Sequence, residues 1–526
     1  MNQKRNYKTI LIILATILIG FAFRIYHIEF GLPHSFHADE PEIAELAIKY
    51  TYEFRDIISQ KNYYKLIPIS FVYGTFPTYM LTAATMLFSK TNNVLNIPFD
   101  KTTVYIFLRT LVSLSTLLMI PAGALLAQKF LKNKLTAYIT AFLIALNWKL
   151  IVHAHYVNAD IILTTLVLLA FFTFYLYYQK DQDTLYTTLT GILFGLAVGT
   201  KITALISLPL FLYVFIIKKS YREMFAFIFI IFGTFAITNP FSFLFANSFA
   251  FRIYEMFSKE AGMVFDSVDH NPLKYLNASV LMTTLPVFVF SLYGIFQRFK
   301  RKDTAESDNT DKTFDKFLLG NILLYLFFYS IQSRRVDRWL LPILPIILIY
   351  AAYGIAIIKQ KISKTWFYLL AFLALASYVM FPALLLFQFQ KHTPKSEAYL
   401  WMKENVPPQS SKLIYTEEGL DPMNKLLGER VIQYEVYTSE NAQFFVPEKP
   451  DGWEYIVLSS RPMQNFKKPE VAAKYPFYVD KWNNFEQQVL DPNNFELIKE
   501  FTLPKPNLVD LSDVYIYKNL KLVEKP

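Results

Sequence analysis

Long apolar runs recur along the first 390 residues of this 526-residue chain. A helix needs about 20 apolar residues to cross roughly 30 Å of hydrocarbon, and in lipid only helices and closed barrels satisfy every backbone hydrogen bond. With a hydrophobic content of 54%, the runs exclude a water-soluble globular fold and predict a multipass, all-α membrane protein. Eleven predicted spans lie near residues 8–27, 104–127, 135–152, 161–178, 185–200, 202–217, 224–239, 276–297, 317–331, 339–358 and 365–387.

The first apolar run follows Lys4, Arg5 and Lys8, as the hydrophobic part of a signal peptide would. No small-residue cleavage site comes after it, and apolar runs continue to Phe387. We therefore interpret this run as an uncleaved first span, and we expect the N-terminus in the cytoplasm.

A further run, Phe71–Phe88, is interrupted by Gly74 and Pro77 and is short for a span. Basic loops prefer the cytoplasmic side, and the basic clusters of this chain share the side of the N-terminus only if Phe71–Phe88 does not cross. We predict a re-entrant or interfacial helix inside an external loop of residues 28–103, and an extracytoplasmic C-terminal region. The clusters are Lys129/Lys132/Lys134, Lys218/Lys219/Arg222, Arg298/Lys300/Arg301/Lys302 and Lys359/Lys361/Lys364.

From Lys391 onward the composition becomes that of a soluble domain. The segment Ser396–Val406 has helical character, and short β-rich runs separated by turn residues follow it. We predict two domains: a transmembrane domain of residues 1–390 and a small extracytoplasmic α/β domain of residues 391–526, in which no catalytic motif is found. The β-rich runs are Lys412–Tyr415, Tyr455–Leu458, Leu497–Phe501 and Val514–Tyr517.

The net charge of +10 does not indicate nucleic acid, because the basic excess lies in the first 390 residues, where loop Lys and Arg set membrane orientation. The absence of cysteine excludes disulfides, cysteine-ligated zinc and thiol nucleophiles. No P-loop, GxGxxG or serine elbow is found, so group transfer would draw its energy from an activated donor.

Polar side chains collect at those helix ends that face the external side in this topology. Ionisable groups at membrane depth are costly and usually mark a functional site, so we expect these side chains to converge. They are His37, Asp39, Glu40, Arg109, His153, His155, Tyr156, Asp160, Lys201, Asn239, Arg334, Arg335, Asp337 and Arg338.

The stretch FHADEPEIAE opens a predicted helix, because Pro41 suits the first helical turn and Asp39 or Glu40 can cap it. One interpretation is helix capping on a solvated acidic face. The other is a general base near the membrane surface, with the neighbouring carboxylate orienting the base or the substrate. The spacing of Glu42 and Glu45 fits an exposed helix face.

Each cation of the external set has two interpretations. Arg109 and Lys201 could snorkel to the lipid headgroups, or they could contact a phosphate; a buried Arg109 could also hold Asp39. The stretch RRVDRW, with Arg334 and Arg338, breaks the positive-inside pattern and favours an anionic ligand such as a lipid phosphate.

His153, His155 and Asp160 could suggest a divalent metal site. Their spacing is not a zinc signature of the HExxH kind, so structural hydrogen bonding is the preferred interpretation and no metal ligand is assigned. We retain His155, Asp160 and Tyr275 as candidate substrate-binding residues.

In order and topology, these motifs resemble the polytopic GT-C glycosyltransferases of the protein O-mannosyltransferase and aminoarabinose transferase type, the phospholipid-carrier-dependent family 39. The similarity covers roughly residues 8–390. In this chain, Ala38 replaces the usual proline of the Asp-Glu motif, and His155-Tyr156 stand where many members have arginine. The motifs are HADEPEIAELA, GTFPTYMLTAATMLF, YIFLRTLVSLST, HAHYVNADIILTTLVLLAFF, GILFGLAVGTKITAL and RRVDRWLLPILPIIL.

The resemblance implies a GT-C helical bundle with about eleven transmembrane and additional juxtamembrane helices. It also implies a plasma-membrane enzyme that transfers a sugar, with inversion, from a polyprenyl-phosphate donor to an extracytoplasmic protein, glycolipid or polysaccharide hydroxyl. In that reaction Asp39 would be the base and Glu40 would assist it. The side chains expected to hold the lipid phosphate are Arg109, Lys201, Arg334 and Arg338.

Two other functions fit parts of the sequence. A transporter or flippase of lipid-linked sugars would also need basic groups, but along a path through the bilayer. A structural protein of the cell envelope would account for the C-terminal domain but not for Asp39-Glu40 with Arg109. The clustering of charge at one face favours the transferase.

Overall fold

The structure is a computed structural model, and it describes most of the chain. The described residues are 2–34, 37, 39–68, 71, 73–95, 99–180, 183–257, 271–300, 307–332, 335–417, 429–434 and 449–522.

The part that precedes the C-terminal sheet consists of helices. Among its described residues are also the 3-10 helices Tyr63–Leu66, Ile202–Ser207 and Asp337–Ile343. The α-helices are α1 (Asn2–Ile25), α2 (Asp39–Ser59), α3 (Phe76–Leu95), α4 (Lys101–Thr116), α5 (Met119–Leu131), α6 (Lys134–Leu146), α7 (Trp148–Ala154), α8 (Ala159–Gln179), α9 (Thr184–Thr200), α10 (Leu208–Ile217), α11 (Tyr221–Thr238), α12 (Phe241–Leu244), α13 (Ala246–Phe257), α14 (Lys274–Thr283), α15 (Leu285–Lys300), α16 (Ser307–Ser330), α17 (Leu344–Lys361) and α18 (Lys364–Phe389).

The all-helical membrane architecture predicted from the apolar runs is confirmed. By length and composition, five helical stretches in the described residues can cross a membrane, or up to seven if each of two bent pairs is one span. The bent pairs are α6 with α7, at 48°, and α14 with α15, at 108°. Every predicted span coincides with helix, but several of these helices are short, so the count of eleven stays a prediction.

The run Phe71–Phe88 corresponds largely to α3, which packs against α2. α2 is amphipathic and begins with the predicted Asp39-Glu40 pair. The interfacial location of α3 and the orientation of the termini remain predictions.

Helices α15 and α17 approach each other closely through two glycines. A methyl group built on Gly294 would lie 2.1 Å from the carbonyl oxygen of Tyr350, and one built on Gly354 would lie 2.1 Å from that of Phe290. Small residues at such crossings let helix backbones pack in a medium where apolar burial alone does not drive association. Beside this crossing Arg298 forms a buried ion pair with Asp315, at 2.6 Å.

The C-terminal part is a small α/β unit, as predicted. It contains α19 (Pro394–Asn405), α20 (Ser460–Asn465), α21 (Pro469–Lys474) and α22 (Pro476–Leu490), and the 3-10 helix Pro450–Gly452. Its described strands, in the order β2-β1-β3-β5-β4, form a sheet in which β1, β2 and β3 are parallel and β5 is antiparallel to β3 and β4. The strands are β1 (Lys412–Glu417), β2 (Glu429–Tyr434), β3 (Tyr455–Ser459), β4 (Phe495–Phe501) and β5 (Val514–Asn519).

Different helices cover the two faces of this sheet. Successive side chains along a strand point to opposite faces, so neighbouring residues contact different helices. Leu413 and Ile456 pack with Trp482 of α22 on one face. Ile414 and Val457 belong to the cluster that contains Met402 of α19 on the other. The boundary between the two predicted domains, at residue 390, stays a prediction.

We expect Gly354→Ala to lower the midpoint of thermal unfolding, because overpacking a close contact costs roughly 1–3 kcal/mol. Gly233→Ala in α11 is the matched control, since an added methyl group there meets nothing within 4 Å. The measurement is the unfolding midpoint of both purified variants in the same detergent. Equal midpoints would contradict the close packing of α15 on α17.

Candidate functional site

Four charged side chains from distant parts of the sequence meet at one end of the helical bundle. Asp39 opens α2, Asp160 lies in the first turn of α8, Lys201 follows α9, and Arg338 belongs to the 3-10 helix Asp337–Ile343. The Arg338 guanidinium contacts both carboxylates, with Nη2 2.8 Å from Oδ2 of Asp39 and Nε 3.2 Å from Oδ2 of Asp160. Lys201 Nζ donates to Oδ1 of Asp160 at 2.6 Å. The charges alternate in sign, so each carboxylate has a cation beside it.

The start of α2 places Asp39 at this cluster. The backbone N–H of Glu40 donates to the carbonyl of His37, and the backbone N–H of Asp39 donates to Nδ1 of the His37 ring at 3.2 Å. The carboxylates of the first turn are also favoured by the partial positive charge of a helix N-terminus. Asp39 keeps 14% of its side-chain surface exposed.

Asp39 is ionised in this environment. Burial by itself would raise the pKa of Asp39, but the positive charges of Arg338 above all, and of Lys201, outweigh it and hold the pKa below its ordinary value. The carboxylate therefore remains a hydrogen-bond and proton acceptor at neutral pH.

His37 stacks on the ring of Tyr156, with 4.3 Å between the ring centroids and 19° between the planes. Burial is the main reason why the pKa of His37 falls to about 4, and Arg338 and Arg461 act in the same direction against Asp39 and Asp160. The ring is therefore neutral at pH 7, and its Nδ1 can accept from the backbone of Asp39.

Glu40 and Arg109 form a separate and fully buried ion pair. Arg109 donates from Nε to Oε1 of Glu40 at 2.7 Å and from Nη2 to Oε2 at 2.6 Å. Its Nη1 donates to the carbonyls of Ile28 and Phe30, and the backbone N–H of Val157 donates to Oε1 of Glu40. Arg109 was expected to hold Asp39 or a phosphate, but the structure directs it to Glu40, where it ties together α2, α4, the turn after α1 and the turn before α8.

Two further predicted residues form hydrogen bonds with backbone groups. His155 is buried between the carbonyls of Tyr26 and Ile151 and stacks on Phe389. The Tyr275 hydroxyl accepts from the backbone N–H of Val336, just before the 3-10 helix that carries Arg338. Arg334 lies outside the described residues.

A contact around Gly74 was missed at the sequence level. The backbone N–H of Gly74 donates to the carbonyl of Thr200 at 2.9 Å, and a methyl group on Gly74 would lie 1.9 Å from the carbonyl oxygen of Gly199. The neighbouring residue, Tyr73, places its ring 5.6 Å from Lys201 Nζ. Gly74 therefore allows the backbone approach that brings Tyr73 over Lys201, whereas the sequence indicated only an interruption of a helix.

Asn239, from the external set, completes this contact. Its Oδ1 accepts from the backbone N–H of Thr75 at 2.7 Å, and its Nδ2 donates to the carbonyl of Gly199 at 3.2 Å. One amide thus joins the ends of α9 and α11 to the segment before α3.

Within the described parts of the chain, no group of three or more His, Asp or Glu side chains is arranged to hold a metal ion. His153 instead bonds to the hydroxyl of Tyr156, which also accepts from Nδ2 of Asn158 at 2.6 Å. These contacts agree with the structural interpretation of the histidines.

We expect the free energy of unfolding to fall as the pH drops from about 6.5 to about 4, because the unfolded chain protonates His37 before the fold does. The two pKa values correspond to a loss of about 3 kcal/mol across this window, with no contribution from His37 above it. The check compares the unfolding midpoints of wild type, His37→Gln and the exposed-histidine control His392→Gln at several pH values. Equal pH slopes for wild type and His37→Gln would rule out a buried neutral His37.

Comparison with known proteins gives one family match and several solved structures of the same fold. Residues 63–222 match the family described as dolichyl-phosphate-mannose-protein mannosyltransferase. No curated protein matches the chain by sequence.

Two kinds of solved structure resemble the chain over most of its length. The oligosaccharyltransferase AglB of Archaeoglobus fulgidus, in complex with an inhibitory peptide and a dolichol-phosphate, has a TM-score of 0.55 and 15% identity, over 86% of this chain and 69% of AglB. ArnT of Cupriavidus metallidurans, bound to undecaprenyl phosphate, has a TM-score of 0.52 and 12% identity, over 98% of this chain and 99% of ArnT.

A further structure of the Archaeoglobus fulgidus oligosaccharyltransferase, in complex with zinc and sulfate, has a TM-score of 0.55 and 14% identity, over 86% of this chain and 69% of that one. The shared fold and the matched segment confirm the resemblance seen in the motifs. The chain therefore shares the fold of AglB and ArnT over most of its length, and residues 63–222 match the mannosyltransferase family model.

Proposed function

We propose that this protein transfers a sugar from a polyprenyl-phosphate carrier to an acceptor hydroxyl on the extracytoplasmic side of the membrane. The observation that carries the proposal is an ionised, partly exposed carboxylate, Asp39, beside the cations Arg338 and Lys201 in one cluster. Two relatives of the same fold were solved with dolichol-phosphate and undecaprenyl phosphate, which supports a lipid phosphate as the ligand of these cations.

In the proposed reaction Asp39 is the general base. The acceptor oxygen attacks the anomeric carbon of the sugar while its proton passes to the Asp39 carboxylate. The bond between the anomeric carbon and the phosphate oxygen breaks, and the polyprenyl phosphate leaves with the electron pair. A single displacement of this kind inverts the anomeric configuration.

Arg338 and Lys201 stabilise the negative charge that develops on the leaving phosphate. Cations held in a water-poor site stabilise such charge more strongly than they would in bulk water. Asp160 orients both of them through its two carboxylate oxygens. By its place in the sequence, Arg334 is a further candidate for this phosphate.

Donor binding also increases the basicity of Asp39. In the structure Arg338 is shared between Asp39 and Asp160, which makes the Asp39 carboxylate a weak base. A phosphate that draws the guanidinium toward itself weakens this pairing, and the pKa of Asp39 rises toward its ordinary value. The base is then strongest when the donor is present.

The other predicted residues have supporting roles in this proposal. Glu40 and Arg109 hold the start of α2 in place, and Tyr275 supports the segment before Arg338. His155 fixes the turn before α8 against α1 and α18. We assign none of these four to the reacting atoms.

The first test separates Asp39 from Glu40. We expect Asp39→Asn to lower transfer by about 10²–10⁴-fold, the usual contribution of a general base, while the protein stays folded. Glu40→Gln leaves the buried Arg109 without a counterion and should destabilise the protein by about 3–5 kcal/mol. Turnover is measured with purified protein and a panel of polyprenyl-phosphate sugars and acceptors, and folding by the unfolding midpoint.

Glu45→Gln is the control for both variants, because Glu45 lies on the same helix and pairs with the exposed Lys101, and glutamine keeps an oxygen that can accept from the Tyr105 hydroxyl. A surface pair of this kind contributes about 0–1 kcal/mol, so neither turnover nor stability should change much. Undiminished transfer by Asp39→Asn would remove Asp39 from the mechanism.

The second test concerns the phosphate. We expect Lys201→Met and Arg338→Met each to weaken the binding of undecaprenyl phosphate by roughly 10–100-fold, because each removes a hydrogen bond from a charged donor. Lys101→Met is the matched control, since it removes a cation at the start of α4 outside the cluster. Binding is measured in nanodiscs by native mass spectrometry, and equal affinity in all three variants would contradict the assignment.

A further inference from the structure

One segment of the C-terminal unit leaves its sheet and packs on the helical bundle. This docking segment, Leu503–Leu511, connects β4 to β5. Its side chains Leu503, Leu508 and Val509 are buried in one apolar cluster with Ile151 of α7 and with Tyr156, which follows α7. The cluster is separate from the two that cover the faces of the sheet, so it holds the C-terminal unit to the membrane part.

Both the nitrogen and the oxygen of the Gln388 side-chain amide, in α18, form hydrogen bonds with the docking segment. Its Nε2 donates to the carbonyls of Pro504, at 2.6 Å, and Pro506, at 2.8 Å, and its Oε1 accepts from the backbone N–H of Leu508 at 3.1 Å. Gln388 is fully buried, so leaving its amide without these hydrogen bonds would cost free energy. The three bonds therefore fix the docking segment at one position along α18.

The other side of the docking segment is fastened to the sheet unit. Arg461, at the start of α20, donates to the carbonyl of Asp510 at 3.0 Å, and Lys505 donates to Asp513 at 2.8 Å. The segment is therefore bound both to α18 and to the rest of the C-terminal unit. It fixes the position of that unit relative to α18.

From the docking segment a short chain of contacts leads to the charged cluster. Tyr156 shares the apolar cluster with the segment, and its ring is the surface on which His37 stacks at 4.3 Å. His37 in turn accepts from the backbone N–H of Asp39. A displaced Tyr156 would leave the His37 ring without its stacking partner and the backbone N–H of Asp39 without a fixed acceptor.

We propose that docking of Leu503–Leu511 positions Tyr156, and through it His37 and Asp39, so that the C-terminal unit is a working part of the catalytic site. The segment touches no reacting atom and acts only by placement. The kinetic consequence rests on the proposed function, whereas the effect on the backbone at Asp39 does not. Hydrogen exchange therefore tests the placement separately from the reaction.

The test uses full-length protein in nanodiscs and two variants that loosen the docking in different ways. Gln388→Leu removes the three hydrogen bonds, and Val509→Ala removes part of the apolar contact. We expect amide hydrogen exchange at residues 39–45 and 153–158 to become about tenfold faster in both variants, because local opening there becomes easier.

Val489→Ala is the matched control, because Val489 is equally a buried valine of the same unit but belongs to the cluster on the sheet. Exchange should increase in α22 of this variant and remain at the wild-type rate at residues 39–45. If the faster exchange in Gln388→Leu and Val509→Ala is confined to residues 384–389 and 503–511, the proposal is overturned.

Where the wild type turns over a polyprenyl-phosphate sugar, the two docking variants should lose about tenfold or more in kcat with an unchanged KM for the donor, since only placement of the base is impaired.

The acid limb of the pH–rate profile should also move to higher pH in these variants, because water reaches the His37 ring and its pKa rises from about 4 toward 6.5. Combining either docking variant with His37→Gln should abolish this shift of the acid limb. A change in KM for the donor with an unchanged kcat would contradict the proposal that docking positions the base. The charged or titratable groups around His37 are Asp39, His153, Tyr156, Asp160, Arg338 and Arg461.

Discussion

The buried pair of Glu40 and Arg109 is the interaction on which the arrangement of the site depends. Taking both charges out of water is costly, and the pair persists because its geometry is bidentate and its remaining donors and acceptors are satisfied. The two carbonyls that Arg109 reaches belong to the turn after α1, and the N–H that Glu40 accepts belongs to the turn before α8. A single ion pair thus sets the start of α2 against the elements that carry the rest of the charged cluster.

Two adjacent carboxylates consequently have different environments. Successive residues of a helix point about 100° apart, so when Glu40 is directed into the bundle Asp39 must face sideways, toward Arg338. Glu40 is fully buried, while Asp39 keeps some exposure. In the proposed reaction this difference separates the residue that places the base from the base itself.

Much of this could be predicted from the sequence, because it depends on local patterns. Apolar runs mark the helices, alternating β-rich runs mark the C-terminal sheet, and charges at helix ends mark the face on which Asp39, Asp160, Lys201 and Arg338 meet. The partner of each charge could not be predicted, since pairing depends on how helices pack. For Arg109 the sequence suggests Asp39, a phosphate or the lipid headgroups, and the structure pairs it with Glu40.

Backbone contacts were still less visible in the sequence. Gly74 interrupts an apolar run and looks like a simple helix breaker, yet its lack of a side chain is what lets the chain pass against Gly199. Gln388 is a single polar residue at the end of an apolar helix, a common place for a residue that merely faces water. Only the fold reveals that its amide holds a segment more than a hundred residues away in sequence.

The charge balance of the cluster links these observations to the proposed chemistry. The charges of Asp39, Arg338, Asp160 and Lys201 alternate in sign, and these four charges sum to zero. In the proposed reaction a lipid phosphate would add negative charge, and Arg338, being shared by two carboxylates, is the cation that would move toward it at the smallest cost. Asp160 keeps its ion pair with Lys201 when that happens, whereas Asp39 loses its ion pair with Arg338 and keeps the longer-range effect of Lys201 and the neutral ring of His37. In the proposed reaction the carboxylate that loses its direct counterion is therefore Asp39, and its affinity for a proton would increase when an acceptor hydroxyl must give one up.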